Sequence, residues 1–155
     1  MTAVDYIRGY SLPMFPIALL QCVLCLIVAA FLGAPVSVNM LMAILVLIPQ
    51  AIFSIFVGLL LGTLLTETQM QGVGTLYISL GALIGGAWMD LDMIGGIVKT
   101  IGYLLPFAHS IDAARAAMAG NYADIPAHML WSAGYAVVIF IVAILAFRKR
   151  MKSEC

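Results

Sequence analysis

Residues 40–65 have the sequence MLMAILVLIPQAIFSIFVGLLLGTLL, in which no Asp, Glu, Lys or Arg occurs. A helix needs about 20 mostly apolar residues to cross the hydrocarbon of a bilayer, so this stretch predicts a membrane-spanning helix. Pro49 lies in its middle and should kink the helix, with neighbouring groups satisfying the freed carbonyl. Gly58 and Gly62 form a small-xxx-small pair, which allows another helix to approach closely.

The composition of the whole chain is typical of a membrane protein. Of its 155 residues, 65% are hydrophobic and 9% are charged, whereas about 25% are charged in an average soluble domain. A soluble fold of this length could not bury so much apolar surface. The formal net charge is zero, so there is no field to attract nucleic acid. We expect membrane lipid, and no nucleic acid, around the chain.

Three further apolar runs predict spanning helices near residues 12–32, 73–89 and 128–147. The polar stretch 66–72 predicts the loop between the second and third of the four helices. The predicted fold is therefore all-α: a polytopic membrane helical bundle with about four spanning helices. It forms a single transmembrane domain over residues 1–155.

The segment before the last span predicts a re-entrant outer hairpin, near residues 93–120. It is apolar, but its first part is too short and too rich in glycine to be a span. Ser110 is a plausible N-cap for a second short helix, on which an acid and a base lie three residues apart and can pair. The residues that mark this hairpin are Lys99, Pro106, Asp112, Arg115 and Gly120.

The charge distribution predicts the orientation of the chain. Four of the seven Lys and Arg residues lie in the segment 148–152, which the positive-inside rule places in the cytoplasm. With four spans both termini are then cytoplasmic, and residues 90–126 face outside. The rule alone leaves open a fifth crossing at residues 93–106; the short length and the glycines of that stretch argue against it.

The sequence carries no signature of a catalytic or nucleotide site, since no Gly-x-Ser-x-Gly, His-Glu-x-x-His or Walker sequence occurs. The Asp and His residues of the outer segment could be imagined as a metal site, but their spacing matches no metal signature. These residues are Asp90, Asp92, His109, Asp112 and His128. Cys22 and Cys25 lie within an apolar run that disfavours thiolates, which favours a packing role. We therefore predict no catalytic residue, metal or cofactor on this chain.

Several stretches resemble the permeases of type-2 ABC exporters. Residues 80–92, LGALIGGAWMDLD, resemble the end of the fifth helix of that family. Residues 101–120, IGYLLPFAHSIDAARAAMAG, resemble its re-entrant outer hairpin, in which a Leu-Pro turn precedes a short helix with an arginine and a closing glycine. The final span with Phe147–Arg150 is similar to the last helix of the family, and Gly58–Thr68 to its fourth helix and the following cytoplasmic turn.

This resemblance implies the permease subunit of an ATP-driven exporter in a bacterial plasma membrane. It would work by alternating access with a second permease chain, in a homo- or heterodimer. A separate cytoplasmic ABC ATPase subunit would bind ATP and Mg²⁺. The turn after the second predicted span would contact that ATPase, three glycines would allow close packing near the outer gate, and the hairpin would cap the pathway. The ATPase-contact residues are Thr66, Glu67, Thr68 and Gln69, and the gate residues are Gly81, Gly85 and Gly86.

The chain departs from the family in two respects. Such permeases have six spans, and this chain resembles the last four, so we expect an amino-terminal surface helix and two spans to be missing. Residues 89–91, Met-Asp-Leu, lack the proline that relatives often carry there. Two alternatives stay open: a non-transporting scaffold or truncated remnant of such a permease, and an intramembrane metal-dependent enzyme that uses the outer Asp and His residues. Nothing in the spans selects a substrate.

Overall fold

The computed structural model describes residues 3–153, and every regular element in that range is a helix. This confirms the all-α prediction. The elements are α1 (Ala3–Phe31), α2 (Val38–Leu64), α3 (Glu67–Ile84), α4 (Leu91–Ile94), α5 (Gly96–Leu104), α6 (Pro106–Ala119) and α7 (Ile125–Ser153).

Three helices in the described part of the chain are long and apolar enough to cross a membrane. They comprise Ile7–Phe31 within α1, Val38–Leu64 as α2, and Ile125–Arg150 within α7. The spans predicted at 12–32, 40–65 and 128–147 lie within or nearly within these helices. The chain is thus a polytopic helical membrane bundle.

The third predicted span differs from its helix. Helix α3 begins at Glu67 and ends at Ile84, so it is displaced from the predicted 73–89 towards the polar stretch. The prediction of a loop at 66–72 was wrong, because Thr66 caps a helix there: its backbone N–H donates to Oε1 of Gln69 at 3.1 Å, a contact typical of a capping box. Because its first turns are polar, α3 is less apolar than α1, α2 and α7. It is not among the three helices that are apolar enough to cross a membrane.

The packed centre of the bundle is formed by α2, α6 and α7. Ala43 and Val46 of α2 pack against Ala113 and Ala117 of α6. Both alanines of α6 are at most 1% exposed. Lipid removes the hydrophobic drive for helices to associate, so close van der Waals packing between small residues takes its place. Ala113 and Ala117 favour a helix by their intrinsic propensity, and they also form the surface of α6 that contacts α2.

The hairpin of α5 and α6 penetrates deep into the bundle. The ring of Phe107, in the first turn of α6, meets the ring of Phe53 edge-on, with 6.0 Å between the centroids. Phe53 lies about 22 Å from the start of α2, at about 1.5 Å of rise per residue. The apex of the hairpin therefore lies beside the middle of a spanning helix, and both arms return to the same end of it. The hairpin occupies most of the range 93–120, for which the sequence predicts a re-entrant outer hairpin.

Candidate functional site

The break between α5 and α6 exposes backbone carbonyls inside the bundle. Pro106 has no N–H, so the last carbonyls of α5 cannot all be satisfied by the following turn. Two side chains supply the missing donors. The Nε2 atom of His109 lies 2.9 Å from the carbonyl oxygen of Tyr103, and the Tyr135 hydroxyl donates to the carbonyl of Leu104 at 2.6 Å. The apex is thus held by its own second arm and by α7.

A pair of histidines ties the hairpin to the last helix. Nδ1 of His109 on α6 lies 2.9 Å from Nδ1 of His128 on α7. The hydrogen-bond pattern fixes the tautomers: Nε2 of His109 must donate to the Tyr103 carbonyl, so in the neutral ring Nδ1 accepts and His128 donates from its Nδ1. The indole of Trp131 packs beside His109, with 5.2 Å between the ring centroids. In its neutral form, His109 is thus a donor to its own hairpin and an acceptor from α7.

Electrostatics favour that neutral form. Burial lowers the pKa of His109 from its ordinary value of 6.5 and outweighs the hydrogen bond to the Tyr103 carbonyl, which raises the pKa; the neighbouring His128 lowers it further. Asp112, on the same helix, acts in the opposite direction. The phenol of Tyr103 is neutral too, because burial, together with a hydrogen bond to Asp112, raises its pKa to about 12.

A buried polar cluster joins α2, α6 and α7. The hydroxyl of Ser110 lies 2.9 Å from Oε1 of Gln50 and 3.0 Å from the hydroxyl of Ser132. Ser110 and Ser132 are both at most 3% exposed. The interpretation of Ser110 as an N-cap was wrong: α6 begins four residues earlier at Pro106, a residue that suits a first helical turn. The Ser110 hydroxyl instead links three helices.

A small pocket, lined mainly by apolar groups, lies between α2, α3 and α6. Its volume is about 260 Å³, and its polar lining comprises Gln50, Ser54, Tyr77 and Ser110. The hydroxyls of Ser54 and Tyr77 are 3.5 Å apart across the α2–α3 contact. Phe107, at the hairpin apex, is part of the lining. Polar groups inside a membrane bundle are expensive and mark functional regions, so this cavity is a candidate for part of a permeation pathway.

The sequence offered a signal for this cavity. Gln50 and Ser54 are polar residues in the otherwise apolar stretch that became α2, and they lie four residues apart on one helix face. Neither was predicted as a site residue, because neither is ionisable. Tyr77 could not be linked to them from the sequence, since its partner lies on another helix.

The structure places the three predicted gate glycines against the hairpin. A Cβ atom on Gly81 would lie 3.0 Å from the ring of Phe107, and one on Gly85 would lie 2.9 Å from its Cβ. Gly86 has a φ of +75°, in the region that favours glycine. Its carbonyl accepts a hydrogen bond from Nη2 of Arg115 at 2.7 Å. The end of α3 and the hairpin are therefore in direct contact.

A fourth glycine, Gly102, belongs to this contact. A Cβ atom on Gly102 would lie 2.6 Å from the carbonyl oxygen of Ile84 and 2.7 Å from Leu91. Only glycine allows α5 to approach the end of α3 so closely. By contrast, a Cβ atom on Gly58 or Gly62 would meet nothing within 4 Å in the described part of the chain, so no other helix uses that pair here.

The remaining hairpin residues lie nearer its surface. Lys99 forms an ion pair with Asp92 at 2.7 Å, in which both side chains are about half exposed or more. Nη1 of Arg115 lies 3.6 Å from Asp112, on the same helix. Gly120 ends α6 with a φ of +78°, as a glycine just after a helix often does.

Only some of the five Asp and His residues considered as a metal site lie close together in the structure. His109 and His128 are adjacent, whereas Asp90 caps the short helix α4 by accepting from the backbone N–H of Asp92 at 3.1 Å. Within residues 3–153, no three His, Cys, Asp or Glu side chains are grouped so that they could hold a metal ion.

The predicted ATPase-contact residues lie at the other end of the bundle from the α6–α7 connection. Thr66 is the N-cap of α3, and the three residues after it, Glu67, Thr68 and Gln69, form the first turn. All four are exposed. Arg150, near the end of α7, donates a hydrogen bond to the carbonyl of Thr63 just before this turn.

The model of one protein family, the ABC-2 type transporter, matches residues 1–119. The chain belongs to this family. The matched range ends with α6 and so includes the whole re-entrant hairpin. No curated protein and no solved structure gives a significant match. As a member of the ABC-2 family with three span-length apolar helices, the chain is a multi-pass membrane permease, and its family role is transport.

The close contact at Gly102 predicts a sharp difference between two glycine substitutions. Gly102→Ala should destabilise the ABC-2 permease by about 1–3 kcal/mol, because the new methyl group would overlap a backbone carbonyl. Gly58→Ala, within α2, should be neutral or stabilising, since alanine is the better helix former and meets no neighbour. Thermal unfolding of both variants in detergent micelles measures the difference. Equal melting temperatures would contradict the tight contact.

The neutral His109 predicts that acid destabilises the permease. Because its pKa is lower in the folded chain than the ordinary 6.5, the unfolded chain binds the proton more readily. The stability that depends on neutral His109 is therefore complete above pH 6.5 and is lost as the pH falls from there through the lowered pKa. The melting temperature should fall between about pH 7.5 and about pH 5.5.

His109→Gln provides the control for this pH dependence, because its amide can still donate to the Tyr103 carbonyl but does not titrate. We expect the variant to have a lower melting temperature at neutral pH and a flatter profile over the same pH range. A profile as steep as that of the wild type would assign the acid sensitivity to another group.

Proposed function

We propose that the chain is the transmembrane subunit of an ATP-driven exporter, and that its hairpin closes the outer end of the substrate pathway. The observation that carries the proposal is the position of Phe107. It lies at the hairpin apex, beside the middle of α2, and lines the pocket formed with α3, into which Gln50, Ser54, Tyr77 and Ser110 bring the few polar groups. A pathway through this cavity has the hairpin as its lid on one side.

The direction of export follows from the charges at the two ends. Arg148, Lys149 and Arg150 end α7, and such basic clusters favour the cytoplasm. The α6–α7 connection then faces outside, both termini face the cytoplasm, and the membrane is a bacterial plasma membrane. The lid therefore lies on the outer side, where an exporter releases its substrate.

Energy would come from a separate ABC ATPase that carries ATP and Mg²⁺. The first turn of α3 suits the contact, because it is exposed at the cytoplasmic end and continues rigidly to the gate glycines Gly81 and Gly85 at its other end. A push on this turn moves the end of α3 against the hairpin. Two such permease chains, equal or different, would alternate between inward and outward access.

The orientation predicts which sites an impermeant reagent can reach. In a variant with Cys22, Cys25 and Cys155 replaced by alanine, a cysteine at Lys99 should react with an impermeant maleimide on intact cells. A cysteine at Thr68 should react only after the membrane is opened. The reverse pattern would show the opposite orientation and remove the argument for the direction of transport.

The ATPase contact predicts a site-specific loss of coupling. Glu67→Lys reverses an exposed charge in the first turn of α3, and we expect it to reduce the permease-stimulated ATPase rate of the reconstituted complex about three- to tenfold. Asp124→Lys makes the same charge change at an exposed residue of the α6–α7 connection, at the far end of the molecule, and should leave the rate unchanged.

Two outcomes of this experiment would count against the proposal. Equal coupling in the Glu67→Lys variant would exclude the first turn of α3 as the contact. If the wild-type chain neither co-purified with an ATPase nor changed its rate, the non-transporting scaffold would be the better description.

A further inference from the structure

A second pocket lies at the opposite end of the bundle from the α6–α7 connection and takes no part in the proposed pathway. Its volume is about 480 Å³. One wall is apolar and is formed by Leu64, Leu65 and Ala146. The polar side comprises Thr66, Lys149 and Arg150. The pocket thus lies between the end of α2, the start of α3 and the last turns of α7.

The position of Arg150 fixes the cationic side of this pocket. Its Nη1 donates to the carbonyl of Thr63, in the last turn of α2. The final carbonyls of a helix lack partners in the helix and carry the negative end of its dipole. Arg150 therefore holds the ends of α2 and α7 together and places a positive charge at the edge of the pocket. Lys149, next to it on α7, lines the same space.

The pocket lies at a membrane surface by the geometry of its helices. Both α2 and the apolar part of α7 are long enough to cross a bilayer, and they end at Leu64 and Arg150. A site at these two ends has hydrocarbon on one side and lipid headgroups on the other. Ala146, one helical turn before Arg150, is on the hydrocarbon side.

This mixed lining selects between two kinds of anionic partner. A soluble acidic peptide would match the basic residues but would leave the apolar wall against water. A phospholipid matches both parts, because its phosphate and its first acyl methylenes are joined in one molecule. Basic residues beside a spanning helix attract anionic lipid in the cytoplasmic leaflet. The surroundings of the pocket already contain such molecules at high local concentration.

We propose that this pocket binds the headgroup of an anionic phospholipid. Lys149 and Arg150 contact the phosphate, Thr66 offers its hydroxyl to the headgroup, and Leu64, Leu65 and Ala146 contact the start of the acyl chains. The bound lipid bridges the ends of α2 and α7 and stabilises their association. This site rests on the proposed orientation, which places it in the cytoplasmic leaflet, and it shares Thr66 with the proposed ATPase contact.

The test measures the melting temperature of the purified chain in detergent micelles during titration with phosphatidylglycerol, phosphatidylcholine or inorganic phosphate. We expect phosphatidylglycerol alone to raise the melting temperature in a saturable manner. Lys149→Gln should weaken this response about fivefold in lipid concentration. Arg148→Gln is the matched control, because it removes the same charge from the neighbouring residue, which does not line the pocket, and should respond as the wild type does.

Three results would overturn the proposal. An equal loss in the Lys149→Gln and Arg148→Gln variants would show a diffuse charge effect without a pocket. Saturable stabilisation by inorganic phosphate would identify a site for a free anion. An unchanged lipid response in Lys149→Gln, together with a loss of ATPase binding, would assign the basic residues to a protein partner.

Discussion

The carbonyl groups of Tyr103 and Leu104 lie where the chain turns back inside a membrane bundle. In the hydrocarbon of a bilayer, each backbone group left without a partner costs several kcal/mol. His109 and Tyr135 supply the two donors. Every other feature of the hairpin depends on this solution, because a break at the middle of the bundle is possible only where donors from neighbouring helices reach it.

Close approach of the backbones is the second condition for the hairpin. Because Gly81 and Gly85 have no side chains, Phe107 can pack closely against α3. Gly102 likewise allows α5 to approach the end of the same helix. On the other side, Ala113 and Ala117 allow α6 to lie against α2. The pocket between α2, α3 and α6 is what remains between these contacts. Its hydroxyl and amide groups face each other instead of lipid, which makes them tolerable within the bundle.

The sequence predicted the features that depend on composition and on local spacing. Long apolar runs identified α1, α2 and α7, and the Leu-Pro turn followed by a short alanine-rich helix identified the hairpin. The predictions from sequence failed where the same residue type is compatible with two different local structures. Thr66 and Gln69 are polar enough for a loop, yet together they cap a helix. Ser110 suits an N-cap, yet it bonds to α2 and α7. The cap at Thr66 is a local pattern whose partner lies three residues away, and the sequence permits it without requiring it. The partners of Ser110 lie 60 and 22 residues away, beyond the reach of a local pattern.

The donors on α7 that complete the hairpin are synthesised after the hairpin itself. Synthesis proceeds from the amino terminus, so α5 and α6 leave the ribosome before α7 does. Until α7 is in place, the Leu104 carbonyl lacks Tyr135 and His109 lacks His128. The hairpin therefore cannot reach its final depth on its own. Insertion of the last helix is the step that completes the fold, and a chain stalled before it would hold its hairpin at the membrane surface.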